Sequence, residues 1–312
     1  MEATAPLVVV AAAAGAAAAA CCCQPTLRPA APRIPRPAEF RRKREALVRG
    51  GARNLAVISD FDRTITRCFT AAGERCQSCY NVADGALTPE MAAYKQEVFE
   101  HYFPIEKDPN LTVDEKRPFM LEWYRKSNES LVSGGFRRDS LRSAVSEAVA
   151  QRRLELREGF GALLASLQAH RTPVLIFSAG ISNVISEIFA QLLPSVPLAP
   201  STQVVGNTMT FSDAGLLTRF EEPLIHMFNK NQSVVPAGSQ RRHVLLLGDG
   251  LGDVTMADEA ATEPEIILKI GFLNENVEGL LPQYEAAFDM VIVGDGSFSP
   301  VADIVQAVIN SD

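Results

Sequence analysis

Leu55-Ala56-Val57-Ile58-Ser59-Asp60-Phe61-Asp62-Arg63-Thr64 is the stretch on which the fold turns. Its first half is apolar on both faces and reads as a short strand buried on two sides, and it stops at a polar junction. Two carboxylates two residues apart at the end of a strand can share one cation and divide a reaction. One attacks while the other moves a proton. A lone Asp-x-Asp-x-Thr also occurs as a turn cap, so its meaning depends on partners further along the chain.

Four similar apolar runs follow: Pro173-Val174-Leu175-Ile176-Phe177, His243-Val244-Leu245-Leu246-Leu247, Ile266-Ile267-Leu268-Lys269-Ile270 and Met290-Val291-Ile292-Val293. Helical stretches separate them, among them one leading up to the second strand and one from about Ser182. Short strands apolar on both faces and joined by helices require a parallel sheet covered on two sides, which is a doubly wound, Rossmann-like α/β core. Between the first and second strands, residues 69–154 have almost no β-type runs. There the spacing predicts helices over 88–103, opened by Thr88-Pro89, over 113–130, with Phe119, Met120, Trp123 and Tyr124 at helical intervals, and over 139–150. The expected division is therefore an α/β core made of 54–68 and 155–312, with a helical cap, 69–154, inserted after the first strand.

Ligand sites in such sheets lie at the carboxyl ends of the strands. Polar signals fall there repeatedly: Asp60 and Asp62 after the first strand, Ser178-Ala179-Gly180 after the second, Gly248-Asp249-Gly250-Leu251-Gly252-Asp253 after the third, with Phe228-Asn229-Lys230 in between. Asp60 and Asp62 with Asp249 or Asp253 offer hard oxygen ligands suited to Mg²⁺. Ser178 and the N–H groups of Ala179 and Gly180, read as the start of a helix, suit a phosphate. Lys230 supplies a compact positive charge for a carboxylate and a phosphate oxygen. Taken singly, Asp253 and Ser178 also read as helix caps and Lys230 as a solvated lysine.

The chain has 312 residues, 47% hydrophobic and 21% charged, with a net charge of −7, which is globular composition and disfavours non-specific nucleic-acid binding. The average hides nine Lys/Arg against three Asp/Glu in residues 1–54, so a basic end precedes an acidic body. Residues 6–23 form an Ala/Val/Cys run too weakly apolar for stable membrane insertion. The Pro/Arg/Ala-rich stretch after it leaves 1–53 as either a low-complexity disordered extension or a transit peptide, with folding expected from about Asn54. Location follows the same alternatives: cytoplasm, or chloroplast or mitochondrion if that extension is a targeting signal. The six cysteines are too sparse and clustered for a disulfide framework. Cys76-Gln77-Ser78-Cys79 lacks a second pair of ligands and reads as a turn with free thiols. A monomer is expected.

In order and spacing, these motifs resemble the haloacid-dehalogenase-like phosphohydrolases, in the branch whose cap follows the first motif. Further stretches narrow the resemblance to the cytosolic 5'-nucleotidase III (pyrimidine 5'-nucleotidase) family: Phe103-Pro104-Ile105-Glu106-Lys107-Asp108-Pro109, Glu122-Trp123-Tyr124-Arg125-Lys126-Ser127, Ile176-Phe177-Ser178-Ala179-Gly180-Ile181, His226-Met227-Phe228-Asn229-Lys230 and Leu268-Lys269-Ile270-Gly271-Phe272-Leu273-Asn274. The resemblance covers roughly residues 54–310. It implies a Mg²⁺-dependent 5'-nucleotidase that hydrolyses CMP or UMP through a phosphoaspartyl intermediate, with a nucleotide as its small-molecule partner. Asp60 would be the nucleophile and Asp62 the acid and base. The metal would be held by Asp60, the Asp62 carbonyl and Asp249, supported by Asp253. Ser178 and Ala179 would grip phosphate beside Lys230, and Glu106 and Ser127 would meet the base and sugar. Another phosphomonoester, such as 7-methyl-GMP, a phosphosugar or phosphoserine, and a non-catalytic nucleotide-binding relative are the alternatives. Against the family pattern, Gly250-Leu251 lacks a polar pair and Gly134-Gly135 interrupts the cap.

Overall fold

A computed structural model describes residues 31–108, 110–230, 241–258 and 264–311. Its centre is a six-stranded sheet of β1 (Leu55–Ser59), β2 (Val174–Ile181), β3 (Thr202–Asn207), β6 (His243–Gly248), β7 (Ile266–Leu273) and β8 (Met290–Val293) in the order β3-β2-β1-β6-β7-β8. Every pairing is parallel. All five residues of β1 and all six of β6 are buried, as strands covered on both faces must be. The chain leaves β1 toward β2 and β3, then returns to β6 on the other side. That reversal opens a crevice at the carboxyl end of β1.

The expected doubly wound core is present, with three additions. β3 is an edge strand with exposed Gln203, and its broken alternation hides it in the sequence. An antiparallel hairpin, β4 (Met209–Phe211) and β5 (Leu217–Phe220), follows it. β2 continues to Ile181, so Ser178, Ala179 and Gly180 are the tail of a strand, and the following helix α7 (Ser182–Leu192) starts after them.

The third addition corrects the expectation that folding starts near Asn54. α1 (Pro37–Gly50) is a helix that buries Phe40 and Leu47 against the core. Lys43 Nζ donates to both carboxylate oxygens of Asp289 at 2.7 and 2.9 Å, and Arg36 donates to the carbonyls of Glu285 and Phe288 at 2.8 and 3.1 Å. Arg33 bridges Val291 beside β8. The Ala/Val/Cys run 6–23 lies outside the described residues. Among the described residues no helix is long and apolar enough to cross a membrane.

Between β1 and β2 lie α2 (Cys79–Asp84), α3 (Pro89–Lys107), α4 (Val113–Ser133) and α5 (Arg138–Ala150), followed by α6 (Phe160–Ala169). Four of these, all but α2, were legible in the sequence. Thr88 accepts from Met91 N–H, and Thr112 with Glu115 forms a reciprocal capping box at the start of α4. α4 ends at Gly134, and Gly135 takes φ +69°, the left-handed region that glycine enters at no steric cost. α2 was not expected. Cys79 is its first residue, and Cys68, Cys76 and Cys79 are buried free thiols.

The two chain crossings between core and insertion are fastened to each other. Arg67 N–H donates to Glu155 O at 2.9 Å, Gln77 N–H to Arg153 O at 2.8 Å, and Thr66 pairs with Leu156. Beneath them Arg157, 2% exposed, is the hub. Its guanidinium donates to the carbonyls of Thr64 at 2.9 Å, Gly296 at 2.8 Å and Arg63 at 2.5 Å, and to Asn274 Oδ1 at 3.1 Å. It also pairs with Asp295 at 3.0 Å and lies over the Phe272 ring. Asp295 in turn accepts from the N–H groups of Cys68 and Phe69. Arg63 sits at φ +64°, and Arg157 and Asn274 hold its carbonyl in that unusual turn. Arg157→Met should therefore cost about 3–5 kcal/mol, because it strands a buried carboxylate and several carbonyls. Urea unfolding checks this, and a loss below about 1 kcal/mol would show that the hub is dispensable.

Candidate active site

At the carboxyl end of β1, Asp60 N–H donates to Leu247 O at 2.9 Å, which carries the β1–β6 pairing one residue further. Asp60 therefore sits beside the Gly248-Asp249 turn of β6. Its buried carboxylate accepts from Thr64 Oγ1 at 3.2 Å and from Lys230 Nζ. The same ammonium donates to Asp253 Oδ1 at 2.7 Å, and Asp253 Oδ2 accepts from Gly250 N–H at 2.8 Å. Gly248 makes this possible, since a Cβ there would lie 2.4 Å from the Asp253 Cβ. Asp60, Asp249 and Asp253 each bring a carboxylate oxygen within 4.8 Å of the others. Residues from three separate segments thus meet at one strand edge, as the sequence led us to expect.

The cluster carries more negative charge than Lys230 neutralises. Burial pushes the Asp60 carboxyl up to about 7; Lys230 opposes the shift, and Asp253 and Asp62 add to it. Asp249 is raised well above the usual carboxylate range by burial and by the Asp60 and Asp253 charges. Burial works against the Lys230 ammonium, yet Asp253 and Asp60 outweigh it and hold its pKa above the ordinary lysine value. Three facing carboxylates with hard oxygen donors and a charge deficit are what a small divalent cation such as Mg²⁺ requires, so the residues fit that ion.

The Asp62 carboxylate stands outside this triad. It accepts from Cys79 N–H at 3.0 and 3.3 Å, and burial raises its pKa against the pull of that bond. Ser178 is buried and its Oγ accepts from Gly180 N–H at 2.9 Å. The expectation that Gly180 N–H is offered to a phosphate at a helix start is thus corrected, because that donor is taken within the strand tail. The Ala179 carbonyl accepts from Asn207 Nδ2 at 2.7 Å.

Among the inserted helices, Glu106 lies in the last turn of α3, where its carbonyl accepts from Lys116 Nζ at 2.9 Å. Ser127 is buried on α4, one turn beyond Tyr124. The Tyr124 hydroxyl is pushed up by burial and by the charges of Glu106, Asp62 and Asp60, with Lys230 opposing, so it feels the field of both Glu106 and the acidic cluster. The rings of Tyr102 and Trp123 stack at 6.2 Å, and those of Phe99 and Phe103 at 4.8 Å, giving the α3–α4 pair an aromatic array. His226 is held to about 4 by burial and Arg117, and stays neutral.

Several residues that hold the site escaped the sequence reading. Asn207 donates to Ala179 O and Ile225 O and accepts from Ile225 N–H, tying the β2 tail to the segment before Lys230. Asn229 repeats the device by accepting from His226 N–H and donating to Leu224 O. Thr64 belonged to the quoted motif without a role, and its spacing from Asp60 was the available signal. Arg157 carried none, and Cys79 stood in the Cys-x-x-Cys stretch without a role.

Comparison with known proteins agrees with this arrangement. Residues 63–309 match the family described as Pyrimidine 5'-nucleotidase (UMPH-1). The chain is 41% identical over 268 residues to the 7-methylguanosine phosphate-specific 5'-nucleotidase A of Xenopus laevis, covering 83% of this chain and 89% of that one. It is 36% identical to the 7-methylguanosine phosphate-specific 5'-nucleotidase of Homo sapiens, covering 85% and 88%. Among solved structures, cytosolic 5'-nucleotidase IIIB bound to cytidine superimposes with a TM-score of 0.81 at 32% identity, covering 90% of this chain and 94% of that one. Family match, relatives and fold converge, and the chain belongs to the pyrimidine 5'-nucleotidase (UMPH-1) family, within the haloacid-dehalogenase-like fold.

Proposed function

We propose that this protein is a Mg²⁺-dependent 5'-nucleotidase acting on nucleoside 5'-monophosphates whose base offers an amino group to Glu106, CMP and 7-methyl-GMP above all. The observation that carries the chemistry is the meeting of buried Asp60, Lys230 and Asp253 with half-buried Asp249 at the end of β1. Asp60 attacks phosphorus and becomes the phosphoaspartate. Asp62 protonates the departing nucleoside oxygen and then takes a proton from the water that releases phosphate. Lys230 keeps Asp60 aligned and offsets phosphate charge, and Ser178 with the Ala179 backbone orients the phosphoryl group. Asp60, the Asp62 carbonyl, Asp249 and Asp253 would hold the ion, which when bound supplies positive charge to the phosphate oxygens. The cap made of 69–154 closes over the nucleoside. Ser127 lies on the sugar side.

Base preference follows from donor chemistry. Cytosine presents an exocyclic amino donor, and guanine presents one on its other edge, whereas uracil presents a carbonyl oxygen where cytosine has the amino group. A carboxylate accepts from the first two and repels the third. A 7-methylguanine also carries positive charge, which the aromatic rings of α3 and α4 and the Glu106 carboxylate favour. The relatives named for 7-methylguanosine phosphate and the cytidine in the solved relative support this pair of substrates. We infer cytoplasmic action, with an organelle as the alternative if residues 1–53 include a targeting signal.

In a phosphomonoester panel with Mg²⁺, kcat/KM for CMP and 7-methyl-GMP should exceed that for UMP by about 10–100-fold, the worth of a charged hydrogen bond. Glu106→Gln should narrow the gap. Equal rates on phosphoserine or phosphosugars, or a Glu106→Gln variant with unchanged ratios, would overturn the assignment of the base site.

A further inference from the structure

We infer that Cys79, the first residue of α2, is a positioning residue for Asp62, so that the root of the cap sets where the acid–base carboxyl stands. The inference rests on the proposed role of Asp62.

Two segments distant in sequence from each other converge on that carboxylate. Cys79 N–H donates to Oδ1 at 3.0 Å and to Oδ2 at 3.3 Å. The first N–H groups of a helix have no partner within it, and here Asp62 satisfies one of them. Ser78 fixes the turn that presents it: Asn81 N–H and Ser78 Oγ pair at 3.4 Å, and Ser78 N–H reaches Asn81 Oδ1 at 3.3 Å. From the other side comes Gly180, two residues beyond Ser178. A Cβ there would lie 3.1 Å from Asp62 Oδ2, 3.0 Å from the Cys79 Cβ and 3.1 Å from its Sγ. The absence of a side chain at Gly180 lets α2 and Asp62 close together against the β2 tail. Asp62 therefore takes its orientation from a residue of the inserted segment, while Asp60 takes its own from the core residues Thr64 and Lys230. An acid that must meet a departing oxygen loses rate steeply when displaced by a fraction of an ångström.

The test compares Cys79→Pro, which removes the donating N–H at the first helical position where proline is accepted, with Cys79→Ala, which keeps it, in the full chain with Mg²⁺, on the nucleotide that the wild type hydrolyses best. Cys79→Pro should lose about tenfold in kcat with KM within twofold. Cys79→Ala should stay within about threefold of wild type. In an Asp62→Asn background the same Cys79→Pro change should lower kcat by less than twofold, because the group it positions is gone. Wild-type kcat in Cys79→Pro would overturn the inference. So would a Cys79→Ala variant as slow as Cys79→Pro, or a full tenfold loss in the Asp62→Asn background. Should Cys79→Pro prove unstable, Gly180→Ala decides, since its Cβ would press on Asp62 Oδ2 and Cys79 together; it should lower kcat about tenfold, and wild-type kcat there would overturn the inference. Wild-type turnover tests the proposed function; the ratios of variant to wild type test this positioning role.

Discussion

Asp60→Asn should be inert yet at least as stable as the native chain, whereas Lys230→Met should be inert and about 3–5 kcal/mol less stable. Both remove one partner of the same buried pair, but the charge left behind differs. Removing Asp60 takes one carboxylate from a site with more anions than cations, and Lys230 keeps Asp253 at 2.7 Å. Removing Lys230 leaves Asp60 and Asp253 facing each other without a counter-charge, the costly way to break a buried pair. Loss of the nucleophile should lower kcat by at least about 10⁴-fold. The sign with pH follows from Asp60, whose carboxyl is raised to about 7, above its ordinary value of 3.8. A raised acid favours the folded state below its unfolded pKa, and that contribution is lost as pH rises through the folded value. In EDTA, the stability advantage of Asp60→Asn over wild type should widen between about pH 4 and pH 7, and Mg²⁺ should shrink it by binding the wild-type cluster. Urea melts of both variants, with and without Mg²⁺, check all of this. An Asp60→Asn protein that turns over nucleotide at the native rate, or Lys230→Met melts matching wild type, would remove the basis of the proposed chemistry.

Truncation to Asn54 should cost more stability than any single core substitution, although 1–53 reads as an appendage. α1 covers the sheet with Phe40 and Leu47, and Lys43 answers Asp289, which is 2% exposed and also accepts from Lys269 N–H at 2.9 Å. Leu47→Ala alone should cost about 2–5 kcal/mol, the range for deleting a fully buried leucine side chain. That should lower Tm by roughly 5–10 °C in a chain of this size. Thermal melts of Leu47→Ala and of the chain beginning at residue 54 test the point. A truncated protein that melts within 2 °C of the full chain would show that α1 merely rests on the core.

What was legible in the sequence was local. Leu55–Ser59 and the apolar runs of β6, β7 and β8 announce a buried parallel sheet because both faces are apolar, and the acidic and glycine-rich stretches stand where such strands end. Asp60, Lys230, Asp249 and Asp253 could be named from order alone and lie together. The misses needed partners far along the chain. α1 is rich in arginine and looks like a tail until Asp289 and the carbonyls of Glu285 and Phe288 are seen to meet its cations. The Gly180 N–H bond to Ser178 Oγ depends on β2 running four residues past Phe177. The aromatic array of α3 and α4 was the least legible, since Phe99 and Tyr102 meet Trp123 only through the packing of the two helices.

The fastening of the two crossings has a practical consequence. Because Arg67 is bonded to Glu155 and Gln77 to Arg153, the outgoing and returning chains enter and leave the core as neighbours. The segment between them thus leaves and rejoins the sheet at one place, and it also rests on the β4–β5 hairpin, where Arg138 N–H donates to Gly215 O and Leu217 N–H to Phe136 O. Chimaeras that exchange it between relatives should therefore carry the β4–β5 hairpin along, and base selectivity should follow the donor.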